Sequence, residues 1–369
     1  MAVKFLDLRT QTANLRAEIE PAIARVLANA AFIGGAEVEQ FEREFGAFVG
    51  ANALGVGNGT DALEIAVQAL NLPKDSEVLL PANTFAASAE AVARNQLRLV
   101  FVDCDSTYTM SIADLERKIT PQTSAIMAVH LYGQSADMHA ICALAKRHNL
   151  RIIEDCAQAH GASFASQKVG TFGEIACFSF YPGKNLGAYG DAGAIVSNDT
   201  KLLAACRQIA HHGGLQKYEH DRIGRNSRLD SLQAAVLRVK LPHLNAWNAQ
   251  RDIIAREYMR LLADTEGLVL PTLHAQAQCV WHLFVVRILD GKRDSVRQKL
   301  AEAGIETGLH YPKALPSCTA YQNTPFVRTS ATPNACAWES EILSLPMGEH
   351  LDKTQAREVA DALCSALAP

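Results

Sequence analysis

Residues 125–155 read AIMAVHLYGQSADMHAICALAKRHNLRIIED. Ala125–Leu131 opens with five apolar residues in a row, which fits a strand buried on both faces. Met138–Asn149 carries apolar residues at helical spacing, and Arg151–Glu154 is β-rich again. Two strands joined by a helix of this length pair in parallel through a crossover, so the stretch predicts an α/β unit.

The alternation continues outward from Asn58 to about Ser197. Further strands are predicted at Glu77–Leu80, Leu97–Val102, Ala176–Phe180 and Ala194–Val196, with helices at Asp61–Leu70, Ala86–Asn95 and Ile112–Lys118. Beyond Ser197 the pattern becomes helical at Lys201–Ala210, Ser231–Val239 and Leu244–Ala263. A β-rich run returns at Val280–Ile288, followed by helices at Asp294–Ala303 and Thr354–Leu367. A boundary near residues 240–245 divides the chain into a large mostly parallel α/β domain, 1–240, and a smaller α+β domain, 241–369. The turn-rich stretches His212–Gly214 and Cys318–Pro333 read as surface loops, where function often sits.

With 49% hydrophobic and 20% charged residues over 369 positions, the chain can build a sizeable core, which excludes disordered and fibrous classes. Thirty-five basic against thirty-nine acidic residues give net −4, so no nucleic-acid or anionic-membrane partner is expected. Nine scattered cysteines form no C-x-x-C pair and suggest reduced thiols. No apolar run approaches 18 residues and the first residues lack an apolar signal core, so a cytoplasmic protein without a membrane span is expected.

Three segments carry chemistry. Phe178-Ser-Phe-Tyr-Pro-Gly-Lys184 sets a lysine on a Pro/Gly-shaped turn directly after a strand. An apolar, aromatic setting lowers an amine's pKa, as an imine-forming lysine requires; taken alone, a solvated loop lysine is the commoner case. Ile153-Glu-Asp155-Cys-Ala-Gln158 ends another buried strand, at the carboxyl edge where open parallel sheets bind ligands. Asp155 there could face a protonated ring nitrogen or cap the next helix. Gly55-Val-Gly-Asn-Gly59-Thr60-Asp61 feeds a helix and could seat a phosphate on its N–H groups, or be a helix start capped by Thr60. Phe85 could stack on a flat ring or belong to the core, and Ser179 could add a hydroxyl. His211, His212 and His220 lack a carboxylate or thiol at ligand spacing, so no metal is expected.

Taken together, these segments resemble the fold-type-I pyridoxal-phosphate sugar aminotransferases of the DegT/DnrJ/EryC1 family, from Phe5-Leu-Asp-Leu8 to Leu343-Ser-Leu-Pro-Met347. The resemblance implies a fold-type-I α/β transferase with pyridoxal 5'-phosphate (PLP) bound to Lys184 through an imine. Asp155 would pair with the ring nitrogen, Gln158 with the ring hydroxyl, and Phe85 would stack on the ring face. Gly59, Thr60 and Ser179 would hold the phosphate. Asn226, in Gly224-Arg-Asn-Ser-Arg-Leu, would reach the phosphate in the neighbouring subunit, which implies a homodimer with shared sites. Phe32, Ile33, Tyr189, His310 and Tyr311 would line the substrate site.

The reaction so implied is ping-pong transfer of nitrogen from L-glutamate to a nucleotide-linked keto sugar, with Lys184 as the acid/base. Gly224–Leu229, Val280-Trp-His-Leu-Phe and Gly308-Leu-His-Tyr-Pro are most similar to 3-aminotransferases of dTDP-3-keto-6-deoxyhexoses. UDP-linked 3-keto-uronic acids and 4-keto sugars are the alternative substrates. One branch of the family carries histidine for the lysine and dehydrates sugars; Lys184 favours transamination. A PLP-dependent dehydratase, or a silent nucleotide-sugar-binding regulator, is the rival reading. Arg225, where many relatives have tyrosine or another residue, is left without a role.

Overall fold

The apolar runs assemble into one twisted eight-stranded sheet. A computed structural model describes residues 2–216 and 218–368. Across the sheet the strands are Asn52–Val56, Gly193–Ser197, Ile175–Ser179, Arg151–Asp155, Thr123–Val129, Glu77–Pro81, Arg98–Val102 and Val327–Arg328. The central pairs are parallel, for example Ile126 opposite Ile152 and Leu79 opposite Val100, and their crossover helices cover both faces as such a sheet requires. The chain is thus a mostly parallel α/β fold flanked by helices.

One strand departs from the parallel reading. Gly193–Ser197 runs antiparallel to Ile175–Ser179 and to Asn52–Val56. No helix lies between Ser179 and Gly193, and without a crossover the chain can return only in the opposite direction. The connection that makes this reversal carries Lys184.

Among the elements without a counterpart in the sequence reading are helices Leu8–Asn29 and Ala36–Val49 and strand Asn52–Val56. The first helix buries Leu15, Ile19, Ala22 and Val26 against Ala235 and Val236 of helix Ser231–Lys240. That stripe is narrow, and the weak contrast between the helix faces hides it in the sequence. Cys318–Pro333 is not simply a surface loop, because Val327–Arg328 pairs in parallel with Leu99–Val100 at the sheet edge. A strand of two residues carries no periodicity for a reader to find.

A second core forms around a three-stranded antiparallel sheet of Leu268–Val269, Phe284–Ile288 and Ile342–Leu345. Ile254, Tyr258, Phe284, Leu300, Leu343 and Val359 pack there, joined by Val3 from the other end of the chain. Val3 reaches it through a bridge to Ile305.

Between the cores, polar groups tie loops to the sheet. Glu154 has no exposed surface, yet it accepts N–H bonds from Gly170 (2.7 Å), Phe172 (2.8 Å) and Gly173 (2.8 Å). Ala136 N–H donates to His130 Nδ1, so the proton of His130 sits on Nε2 and is donated to Glu154 at 3.1 Å. His130, Glu154 and Cys156 are close enough to hold a metal ion, but these bonds already engage the histidine and the carboxylate. Glu154→Ala leaves several buried donors unpaired, and each such loss costs about 1–3 kcal/mol. Its urea midpoint should fall well below that of the parent chain; an unchanged midpoint would show the network to be dispensable.

Candidate active site

The carboxyl ends of the central strands open into a cavity of ≈ 1250 Å³, the place an open α/β sheet leaves for a ligand. Lys184 enters it from the reversal loop, where its own N–H closes a turn onto the Tyr181 carbonyl at 2.8 Å. A Cβ on Gly187 would meet the Pro182 carbonyl oxygen at 2.3 Å, so the turn can be this tight only with glycine there. Lys240, buried, donates to the Gly187 carbonyl at 2.7 Å and holds the far side of the loop.

Asn185 fixes the loop from the other side. Its amide nitrogen donates to Asn248 Oδ1 (2.9 Å) and to the Val280 carbonyl (2.9 Å), so its oxygen accepts from His282 Nδ1 at 3.0 Å. His282 is therefore the Nδ1–H tautomer, with Nε2 left as an acceptor, and it lines the cavity. Burial, and then the charge of Lys184, keep its pKa well below the ordinary histidine value.

Burial also dominates at Lys184, pulling its pKa from 10.5 to about 8, while the Asp155 carboxylate works in the opposite direction. Asp155 is buried at the end of its strand and accepts from Ser88 Oγ at 2.7 Å and from Ala157 N–H at 3.1 Å. The Asp155–Ser88 contact spans 67 residues of sequence, which is why the sequence reading missed Ser88. Gln158 accepts from Tyr132 N–H (2.7 Å) and donates to the Tyr311 hydroxyl (2.9 Å), so the orientation of its amide is fixed.

The phosphate-seat segment is built differently from a Thr60-capped helix. Asn58 is the cap, its Oδ1 accepting from Asp61 N–H at 2.8 Å, so Gly59 and Thr60 form the first helical turn. Their N–H groups precede the first intrahelical bond, Ala62 N–H to Asn58 O. A Cβ on Gly59 would lie 2.5 Å from Ser179 Cβ, and that close approach puts the Ser179 hydroxyl beside the helix start. Two amides and two hydroxyls facing one cavity suit a phosphate group. Phe85 is 55% exposed at the cavity wall, 5.6 Å from the Tyr311 ring at 41°, leaving room for a flat ring on its face. These residues fit a pyridine ring with a phosphate arm and an amine-reactive carbon.

The remaining expected residues divide. His310 and Tyr311 are in the cavity wall. His310 Nδ1 pairs with Ser344 Oγ at 2.8 Å, and burial and Lys184 hold its pKa at about 4, so it is neutral at pH 7. Asn226, Phe32, Ile33 and Tyr189 lie outside the cavity lining and are exposed. The Tyr189 hydroxyl pairs with Thr12 Oγ1 at 3.0 Å and its ring lies under Lys240 Nζ at 4.3 Å. Conversely, the cavity includes His282, Arg225 and Arg251, for which the sequence reading had no role. His282 and Arg225 stood in quoted motifs, but only their partners in space reveal what they face.

Residues 13–364 match the model of the DegT/DnrJ/EryC1/StrS aminotransferase family. The chain belongs to this family. It is 43% identical over 363 residues to the dTDP-3-amino-3,4,6-trideoxy-alpha-D-glucose transaminase of Streptomyces venezuelae, covering 98% of this chain and 95% of that one. It is 42% identical to the UDP-N-acetyl-3-dehydro-alpha-D-glucosamine 3-aminotransferase of Acidithiobacillus ferrooxidans, covering 98% of this chain and 97% of that one. The crystal structure of S. venezuelae DesV in complex with a ketimine intermediate superposes with a TM-score of 0.95 at 42% identity, covering 100% of this chain and 99% of that one. This family member is an aminotransferase. Among its described residues no helix is long and apolar enough to cross a membrane.

The depressed lysine of this aminotransferase has a measurable consequence. In the cofactor-free protein, acylation of Lys184, mapped by mass spectrometry, should rise with a midpoint near pH 8, and Asp155→Asn should lower that midpoint. An unfolded lysine keeps its proton to about pH 10.4. Between about pH 8 and 10.5 the unfolded chain therefore binds more protons than the folded one, and stability rises with pH. Lys184→Met should flatten part of that rise; Lys240, also lowered to about 8 by burial, supplies a rise of the same sign.

Proposed function

We propose that the protein transfers an amino group from L-glutamate to the keto carbon of a nucleotide-linked sugar, a dTDP-3-keto-6-deoxyhexose first, with PLP as cofactor. The observation that carries this reading is the meeting of Lys184, Asp155 and the Gly59–Ser179 seat in one cavity. PLP supplies an aldehyde that exchanges amines and a ring that draws in the electron pair left when a C–H proton departs.

The chain's residues supply the rest. Gly59 and Thr60 N–H groups with the Thr60 and Ser179 hydroxyls bind the phosphate, and Phe85 covers one face of the ring. Asp155, its oxygens held by Ser88 and Ala157, accepts a hydrogen bond from the protonated ring nitrogen. Gln158 offers an amide proton to the ring hydroxyl. Lys184 holds and moves the proton at Nζ; with a pKa of about 8, roughly a tenth of it is free amine at pH 7. The neutral acceptor His282, the neutral His310 and the Tyr311 hydroxyl orient the sugar's hydroxyl groups.

Asn226 faces out of its own cavity, which suits a residue offered to the phosphate of a neighbouring subunit in a homodimer. The exposed apolar side chains Phe32, Ile33, Leu215 and Ile223 suit the same contact. All nine cysteines are free, in keeping with work in the cytoplasm. A UDP-linked 3-keto sugar is the second reading, favoured by the likeness to the Acidithiobacillus ferrooxidans enzyme.

The purified protein, given PLP, ¹⁵N-glutamate and a panel of dTDP- and UDP-linked 3-keto and 4-keto sugars, should release 2-oxoglutarate and place ¹⁵N at C3 of the dTDP-linked 3-keto sugar. Amination of 4-keto sugars alone would overturn the substrate assignment. Sugar dehydration without 2-oxoglutarate would overturn transamination itself. Lys184→Ala should cut turnover by about 10³-fold or more.

A further inference from the structure

Gly224-Arg-Asn-Ser-Arg228 crosses the start of helix Gly59–Ala69, and two anchors flank Asn226. On one side the Arg225 guanidinium grips Glu64, with Nη1 at 2.5 Å from Oε2 and Nη2 donating to Oε1 at 2.7 Å. On the other side Ser227 Oγ donates to Asp61 Oδ2 at 2.7 Å and accepts Gly57 N–H at 3.0 Å. Glu64 is buried and also takes the Arg94 Nε–H at 2.8 Å. Burial alone would raise its pKa, but the hydrogen bonds from Arg225 and Arg94 outweigh it and leave the carboxyl below the usual range. The grip is thus a fork on an ionised carboxylate, the strongest of the side-chain hydrogen bonds.

The main chain is held as firmly. Arg225 N–H donates to the Ile209 carbonyl (2.8 Å), His212 N–H to the Arg225 carbonyl (2.9 Å) and Ser227 N–H to the Ala210 carbonyl (3.0 Å). A Cβ on Gly224 would meet Gly213 N at 2.3 Å, so the strip lies flush on the end of helix Thr200–Ala210. Between the two anchors Asn226 alone turns outward, exposed and outside the lining of its own cavity. Asp61 and Glu64, which receive the anchors, stand in the first two turns of the helix that begins with Gly59 and Thr60.

We propose that Arg225 and Ser227 are positioning residues: they clamp Asn226 to the helix that carries the phosphate seat of its own subunit, so that one rigid unit serves two cofactor sites. The proposal rests on the reading of Asn226 as a contact to the neighbouring subunit's cofactor. Its mark is an effect across the dimer. Loosening the clamp in one subunit weakens cofactor binding in the other.

Mixed dimers with two affinity tags test this, with the absorbance of PLP bound as an imine to Lys184 as reporter, because only a subunit that keeps Lys184 gives that signal. With Arg225→Gln and Lys184→Ala on the same chain, the Lys184 site of the partner should release PLP more readily, by about tenfold in dissociation constant, the scale of one charge-assisted bond. With Arg225→Gln on the chain that keeps Lys184, the loss should be several-fold smaller. Arg225→Lys keeps the charge without the fork and should recover part of the loss. Asn226→Ala in the same two arrangements separates the layers. If Asn226→Ala acts across the dimer while Arg225→Gln acts only within its own chain or not at all, the clamp is overturned and the reading beneath it stands. If Asn226→Ala has no effect across the dimer, that reading fails and the clamp falls with it. Should Arg225→Gln fold poorly, Ser227→Ala removes the opposite anchor and decides the question in the same two dimers.

Discussion

The chemistry proposed for this aminotransferase depends on keeping one amine out of water without giving it a close counter-charge. Lys184 is desolvated by the cavity walls and only partly compensated by Asp155. A salt bridge at hydrogen-bonding distance would hold the proton on nitrogen and defeat an amine that must exchange it. Asp155 is instead held by one hydrogen bond on each oxygen, from Ser88 and Ala157, and keeps acceptor capacity toward the cavity. Its charge is thereby fixed in place at the cavity wall.

Holding a lysine in that state requires a rigid loop, and buried polar groups fix it together with the packing of Phe180, Leu186 and Ala188 in the core. Asn185 is bonded on both sides of its amide, and Lys240 grips the Gly187 carbonyl. Such groups are costly to bury unless paired, and here they are paired to loop backbone. The same logic operates at Glu154, which collects three backbone N–H groups one residue before Asp155, and at Glu64, which ties Arg94 and Arg225 to the helix of the phosphate seat. At each of these places a buried polar group holds a loop or helix near the cavity through fixed partners.

How far the fold was legible follows from where its signals lie. The central strands are buried on both faces, so their runs are apolar without interruption and stand out. The helix Leu8–Asn29 buries a thin stripe of four aliphatic positions, and Val327–Arg328 is a strand only because Leu99–Val100 lies beside it. Neither has a local pattern to read. In the site, motif chemistry led to Lys184, Asp155, Gln158, Gly59, Thr60 and Ser179, which the fold does gather in one cavity. The helix-cap alternative at this segment was placed on Thr60, two residues past the actual cap Asn58, because both are good caps and only backbone geometry separates them.

What the sequence determined alone was the layered α/β plan and the residues able to carry imine, carboxylate and phosphate-binding chemistry, since those depend on residue type and short-range spacing. Tertiary structure decided the protonation and orientation of those groups. Ser88 meets Asp155 across 67 residues, His282 meets Asn185 across 97, and Arg225 meets Glu64 across 161. Desolvation and hydrogen-bond geometry are properties of surroundings assembled from distant parts of the chain, so no local reading of residues could supply them.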